Sequence, residues 1–498
     1  MRVIYTSDLH SYLFPTDYCS VGERNIGYYR IIESYKKDED TVVIDCGDNL
    51  QGSVLSKYVM DKKLFHPFPQ AKALKEGRVD FLVPGNHDFN YGYDIFKEFF
   101  SQTGGKILAS NLVDTSGGLD IIPHAVVKDS TGLRVGFTGV ITDWVNVWEK
   151  SDNLGPMVVT DSRDAAEREL VWLKENSDVS VLIYHGGYEC DLDSGEVLQN
   201  TRENIAYELC RDLSYDLILT GHQHRCVEMR DICGTKTMQC PSFAVSYEEI
   251  EITKDSIKGE VKKPLEGGVS KGERENSELS ECIEKWLDEE IGVIDKPIGA
   301  PERVESALKG NHIADFFNYL QLYYTGADIS CTALNNNLYS FSSSITVREI
   351  LSSCQYPNSI YVIEVGEKEI RAALERSAEF FTLENGRPEI SKTFLEPKAE
   401  MYNYDYYMGI SYTFDISKKI GERVTRLLWK GEEIGDRRLK LAINNYRITG
   451  AGGYPLYSKC KILKNCDWDM QDQSIKYFRE MKGKVVSWPY ADFSTIGY

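Results

Sequence analysis

At 498 residues the chain is too long for one ordinary hydrophobic core, so two domains are expected. An apolar share of 42% and a charged share of 27% exclude a disordered or low-complexity chain. A net charge of -20 excludes binding of a nucleic-acid polymer through a general positive field, but it leaves room for a small phosphate held by a few cations.

The first strand starts at Val3 and the first candidate ligand is Asp8, which leaves no space for a charged-then-apolar leader. No apolar run approaches the ~18 residues that a membrane span needs. The twelve cysteines are scattered without a C-x-x-C pair. Cys226, Cys233 and Cys240 are evenly spaced but have no companion histidines. Reduced thiols and a cytoplasmic enzyme are the expectation.

Residues 1–261 read as alternating strands and helices. Arg2 to Thr6 is a strand that ends in Ser7-Asp8-Leu9-His10. Thr41 to Ile44 ends in Asp45-Cys46-Gly47-Asp48-Asn49. Phe81-Leu82-Val83 leads into Gly85-Asn86-His87-Asp88-Phe89-Asn90. Lys106 to Ala109 ends at Ser110-Asn111, and Arg134 to Phe137 is a further strand. Val179 to Tyr184 ends at His185-Gly186-Gly187, and Leu217 to Thr220 at Gly221-His222-Gln223-His224. Helices are expected between them, such as Asp164 to Asn176 and Glu203 to Leu213. Continuous apolar strands separated by helices imply a largely parallel sheet covered on both faces. Its functional edge lies at the carboxyl ends of the strands, where every candidate ligand falls.

Residues 262–300 break this rhythm with Lys262-Lys263-Pro264, Gly267-Gly268 and Pro297, Gly299 and Pro301. Within them Ser277 to Ile291 reads as an amphipathic helix, with Leu279, Ile283 and Leu287 on one face. This segment is expected to be a linker. Residues 301–498 form a second, tyrosine-rich domain, with a helix over Ala314 to Leu322, a strand over Ser359 to Val365 and a helix over Lys368 to Phe381.

The chain has eight histidines, and five of them, His10, His87, His185, His222 and His224, end predicted strands beside Asp, Asn or Gly. These parts suit two adjacent metal ions. Asp8, His10 and His224 can hold one, Asn86, His185 and His222 the other, and Asp48 can bridge them. Mixed imidazole and carboxylate ligation favours zinc, manganese, iron or cobalt over calcium. Two such ions about 3.5–4 Å apart can clamp both oxygens of an in-line phosphoryl displacement. His87, next to the ligand Asn86, is the candidate catalyst.

With those residues in order, D-x-H, G-D-N, G-N-H-D, a lone His and G-H-x-H, the first domain resembles the calcineurin-like metallophosphoesterases. The resemblance implies a four-layer α/β/β/α fold and a dinuclear metal centre. The second domain resembles the carboxy-terminal α/β domain of the 5′-nucleotidase family. Four stretches are similar to its 2′,3′-cyclic-nucleotide 2′-phosphodiesterase/3′-nucleotidase branch: Phe89-Asn90-Tyr91-Gly92, Tyr356-Pro357-Asn358-Ser359-Ile360, Tyr402-Asn403-Tyr404-Asp405, and Asn444-Asn445-Tyr446-Arg447 leading into Gly450-Ala451-Gly452-Gly453.

The resemblance implies that the rings of Tyr356 and Tyr446 sandwich the nucleobase and that Asn335 contacts the nucleotide. Asn111 matches a supporting position behind the site. Three departures stand against ordinary 5′-nucleotide recognition. Asn90 replaces an Asp that orients the catalytic histidine, Gly452 replaces an Asp that holds ribose, and no arginine follows Asn335. Arg447 is the expected substitute cation for the substrate. The implied activity is hydrolysis of cyclic and 3′-nucleotides. The alternatives are a 5′-nucleotidase, a broad nucleotide or sugar-nucleotide phosphatase, and a non-catalytic nucleotide-binding module.

Overall fold

The computed structural model describes residues 1–19, 22–198, 202–354, 358–396 and 399–498. The chain divides into two compact units, Met1–Ile283 and Glu284–Tyr498.

The first unit holds two large sheets, of seven and six strands. In the first, Arg2–Thr6, Thr41–Asp45, Phe81–Leu82 and Lys106–Leu108 run parallel, with Tyr5 opposite Ile44 and Ile44 opposite Phe81. In the second, Arg134–Ile141, Val179–His185 and Leu217–Thr220 run parallel, with His185 opposite Ile141 and Tyr184 opposite Thr220. Every residue of Val179–His185 is buried, as a strand covered on both faces requires.

The two sheets face each other. The rings of Phe81 and Phe137 meet at 5.8 Å, and the Tyr5 hydroxyl of one sheet donates to the Thr220 carbonyl of the other. Gly139 lies where the sheets come closest, and a Cβ there would run into the Leu108 carbonyl oxygen. On the outer side of the second sheet, helices Ser162–Asn176 and Ala206–Asp212 pack Ala165, Leu173 and Leu209 against Leu182, Tyr184 and Ile218. Helices Pro69–Glu76 and Tyr93–Thr103 occupy the crossovers of the first sheet and bury Leu74, Phe96 and Phe99. The layers therefore run α/β/β/α, as expected.

The second unit is built on a five-stranded mixed sheet that contains Ile329–Ala333, Leu439–Asn444 and Ser359–Val365. Its first long helix runs over His312–Thr325, longer than the expected span, because the Asn311 side chain caps it by accepting the Ile313 and Ala314 N–H groups. The helix expected up to Phe381 stops at Ala378, and Phe381 opens a hairpin instead.

The expected linker differs from the structure. The helix covers Ser277–Leu287 rather than reaching Ile291, and Glu290–Ile294 is a strand paired with Ser344–Thr346 and Val485–Val486. Three consecutive acids, Asp288 to Glu290, follow the last apolar position of the helix. Beyond them Ile291 and Ile294 are buried, which a strand in the second unit's sheet provides. The two compact units part between Ile283 and Glu284, inside the helix Ser277–Leu287.

Candidate metal centre and active site

At the strand ends of the first unit the chain turns through the left-handed region, which side chains other than glycine rarely adopt. Asp8, His10, Asp48, His222 and His224 have φ of 54°, 46°, 58°, 68° and 58°. Neighbouring turns enforce these conformations. The Asp8 and His10 N–H groups donate to the carbonyls of Gly47 and Asp48, and the His222 N–H donates to the Asp8 carboxylate. Gly47 and Gly85 interlock so tightly that a Cβ on either would strike the other turn.

Asp88 ties these turns together. Its fully buried carboxylate accepts four backbone N–H groups, from Asp48, Asn49, Leu50 and Gly85, at 2.8–3.0 Å. Burial and the neighbouring Asp48 push its pKa up to about 6, against the pull of those donors.

The turns bring the predicted ligands into two groups, Asp8 with His10 and His224, and Asp48 with His185 and His222. Asn86 belongs to the second: its Oδ1 lies 3.2 Å from His185 Nε2 and 2.8 Å from His222 Nδ1. Asp48 Oδ2 is 3.4 Å from His185 Nε2 and 3.9 Å from His10 Nε2, so it reaches towards both groups.

The donor chemistry fits cations. His10 and His185 each turn Nδ1 to a backbone carbonyl, of Gln51 and Cys46, and His222 turns Nε2 to Glu203 at 3.1 Å. Those nitrogens face acceptors and carry protons, so the opposite ring nitrogens are the ones a cation would take; against burial, Asp48 raises the His185 pKa well above the usual imidazole value. Nε2 of His185 and Nδ1 of His222 converge on the Asn86 oxygen, an imidazole and amide donor set that suits a divalent cation. Burial and the neighbouring His224 lower the His10 pKa to about 3, which keeps the ring neutral as a ligand must be. Burial works against the charge on Asp8, but the hydrogen bond with His224 and the charge of His185 hold its pKa at about 2. Asp48 is likewise held well below the usual carboxylate range, mainly by His185 and His87 acting against burial.

His87 sits beside this centre. Its N–H donates to Asp48 Oδ1 at 2.7 Å, and its Nδ1 lies 2.8 Å from Asn90 Oδ1 and 2.9 Å from Gln51 Oε1. Asn111 is fully buried. It donates to the Ile141 and Thr160 carbonyls and accepts the Ile141 N–H, so it pins a strand end from behind and does not face substrate.

In the second unit the expectation for Arg447 is corrected. The residue is 1% exposed, and its guanidinium is committed to Asp405, Asn403 and the Tyr402 carbonyl. It is a structural cation that braces the Tyr446 and Tyr454 rings, at 5.3 and 4.5 Å. Tyr446 is half-buried at the start of the short helix Asn445–Ile448. Asn335 is half-buried and donates to the Ser352 carbonyl at 2.8 Å. Tyr356 lies outside the described residues.

Sequence reasoning missed Gln51, Asp88, Glu149 and Glu203. Asp88 was legible as the acid of the G-N-H-D turn, and Gln51 as a close follower of G-D-N. Glu149 and Glu203 carry no local signal, because they reach the site only through the fold.

Residues 1–226 match the family Calcineurin-like phosphoesterase and residues 290–459 match the 5′-nucleotidase, C-terminal domain. Among curated relatives, a trifunctional nucleotide phosphoesterase protein of Bacillus subtilis is 22% identical over 97% of this chain, which spans 38% of that protein's length. A 2′,3′-cyclic-nucleotide 2′-phosphodiesterase/3′-nucleotidase of Salmonella typhimurium is 22% identical over 90% of this chain and 81% of its own. A Staphylococcus aureus structure, provisionally named a 5′-nucleotidase, superposes with a TM-score of 0.90 at 26% identity, over 99% of this chain and 100% of that one. Among the described residues no helix is long and apolar enough to cross a membrane. The two domain matches, in this order and over a structure that unites the metallophosphoesterase residues, show that the chain belongs to the calcineurin-like phosphoesterases with a 5′-nucleotidase C-terminal domain, hydrolases of phosphoric ester bonds.

Proposed function

We propose that the chain hydrolyses nucleotide phosphoesters as a 2′,3′-cyclic-nucleotide 2′-phosphodiesterase and 3′-nucleotidase, releasing nucleoside and phosphate. The observation that carries the reading is the convergence of His185 and His222 on the Asn86 oxygen, at 3.2 and 2.8 Å, with Asp48 Oδ2 3.4 Å from the same His185 nitrogen. Two divalent ions of the zinc, manganese, iron or cobalt type, held by Asp8, His10, His224, Asn86, His185, His222 and Asp48, would supply Lewis acidity to the phosphoryl group and to the attacking water.

The protein's own groups do the rest. Asp8 and Asp48 stay ionised and balance positive charge. His87, with Nδ1 tied to the oxygens of Asn90 and Gln51, keeps Nε2 to take up a proton from solvent and, as the imidazolium, hand it to the leaving alkoxide. A cyclic diester opens first to the 3′-monophosphate, and the same groups then cleave the remaining ester. Tyr446 and Tyr356 stack on the base, with Asn335 as a further nucleotide contact. Stacking contributes ~1–3 kcal/mol per base and tolerates different bases. The proposed compartment is the cytoplasm, supported by cysteines that sit as free thiols.

The choice of the cyclic and 3′ branch is supported by Gly452. Its φ is +73°, and a Cβ there would strike Asn403 and Arg447. A side chain is therefore strained where ordinary 5′-nucleotidases carry a ribose-holding carboxylate. The second reading, a 5′-nucleotidase or broad nucleotide or sugar-nucleotide phosphatase, is favoured by the name of the Staphylococcus aureus neighbour. A substrate panel with added manganese, zinc or cobalt tests both. Higher kcat/KM on 2′,3′-cyclic AMP and 3′-AMP than on 5′-AMP is expected, and a preference for 5′-AMP would replace the first reading with the second.

A further inference from the structure

Glu149 stands behind the His87–Asn90 pair and has no part in the metal centre. It follows the short helix Val145–Trp148, and both of its oxygens are committed. Oε2 accepts from Asn90 Nδ2 at 2.6 Å. Oε1 accepts from Asn153 Nδ2 at 2.7 Å and from the Lys150 N–H at 2.8 Å. Asn153 also donates to the Asn90 carbonyl at 3.1 Å, so the carboxylate and the loop of Asn90 are held as one piece.

An ionised carboxylate only accepts hydrogen bonds. Facing Glu149, the Asn90 amide must point its NH2 outward and its oxygen at His87. That oxygen and the Gln51 oxygen both lie within 2.9 Å of His87 Nδ1, so Nδ1 must carry a proton. Without the carboxylate the amide is free to flip and present its NH2 to the ring, which favours the opposite tautomer. The negative charge also polarises the Asn90 amide and strengthens its oxygen as an acceptor.

We propose that Glu149 is a positioning residue for phosphoester cleavage, acting through the Asn90 amide to keep a proton on His87 Nδ1 and leave Nε2 as the atom that takes up a proton from solvent and passes it to the leaving oxygen. Asn90 thereby gains at one remove the charge that its own side chain lacks. The inference rests on the hydrolytic reading above and adds a residue to it.

The test uses the full chain loaded with zinc. Glu149→Ala, Glu149→Gln, Asn90→Asp and the Asn90→Asp/Glu149→Gln double variant are compared on 3′-AMP and on p-nitrophenyl phosphate. The ribose alkoxide needs a proton to leave, whereas p-nitrophenolate does not. Glu149→Ala should lower kcat on 3′-AMP roughly tenfold or more, the scale of a lost supporting partner. KM and zinc content should hold, and the loss on the aryl ester should be smaller. Glu149→Gln keeps an acceptor and should lose less. Asn90→Asp alone sets two carboxylates face to face and should fail, while the double variant moves the charge inward and should recover most of the rate. In 15N spectra of histidine-labelled protein, the His87 signals, identified by their loss in His87→Ala, should show a protonated Nδ1 in the wild type and a mixture of tautomers in Glu149→Ala. An unchanged tautomer in Glu149→Ala, equal losses on the two substrates, or no recovery in the double variant would overturn the proposal. If the wild type cleaves neither substrate the hydrolytic reading fails instead, and the ring spectra still decide the role of Glu149.

Discussion

Arg447 donates to Asp405 through Nε at 2.9 Å and Nη2 at 2.8 Å, with both residues 1% exposed. Arg447→Met would leave a carboxylate enclosed without its partner. Loss of one member of a buried pair costs about 3–5 kcal/mol. Denaturant unfolding of the variant should show a loss on that scale. A loss below ~1 kcal/mol is what an exposed pair gives, and it would mean that the guanidinium is available for substrate after all.

Asp48 reaches towards both ligand groups, so Asp48→Asn should lower bound metal and hydrolysis together. Elemental analysis alongside activity checks this. Full activity with a complete metal complement would remove Asp48 from the bridging role.

Tyr446 is the proposed stacking ring that lies within the described residues. Tyr446→Ala should raise KM for nucleotides and lower kcat/KM by roughly one to two powers of ten, the equivalent of a lost base stack. A small aryl phosphodiester has no base and should be cleaved almost as before. Equal losses on both substrates would make Tyr446 a packing residue.

Glu248 is fully buried in the strand Tyr247–Ile252, and neither carboxylate oxygen has a hydrogen-bond partner among the described residues. Burial pushes its pKa well above the usual carboxylate range. The folded protein therefore binds this proton more tightly than the unfolded chain, whose Glu titrates at about 4.3. Stability linked to Glu248 is complete below that value and is lost as pH rises towards the folded pKa. Glu248→Met, similar in length and apolar, should raise the melting temperature, reflecting the ~1–3 kcal/mol that an unsatisfied buried group costs. The gain should be larger at pH 8 than at pH 5, and a gain that shrinks with rising pH would contradict the assignment.

The seven candidate ligands were legible because each is a local event, a polar residue of metal-binding type placed where an apolar strand must end. The layered fold was legible for the same reason, since strands such as Val179–His185 are apolar throughout. Chemistry assembled over distance was not legible. Glu149 meets Asn90 from 59 positions away, and Glu203 meets His222 from 19. Arg447 next to Tyr446 looks the same in sequence whether it faces substrate or Asp405, and only burial separates the two. The start of the strand Glu290–Ile294, as far as Ile291, was read as helix because the apolar spacing of Ser277–Leu287 runs on into it, and its pairing partners lie far along the chain.

The interlocked Gly47 and Gly85 turns bear on which ions the protein accepts. Asp48 and Asn86 follow these glycines directly, and neither turn can shift without displacing the other. The backbones of the two residues are thus fixed as one piece, and only side-chain torsions remain to adjust their oxygens. Across from them His185 is fully buried with Nδ1 on the Cys46 carbonyl, whereas His222 is half-buried with Nε2 on Glu203. His222 is therefore the more yielding side of the candidate centre, and substitutions at Glu203 are where a preference among metal ions should be most easily retuned.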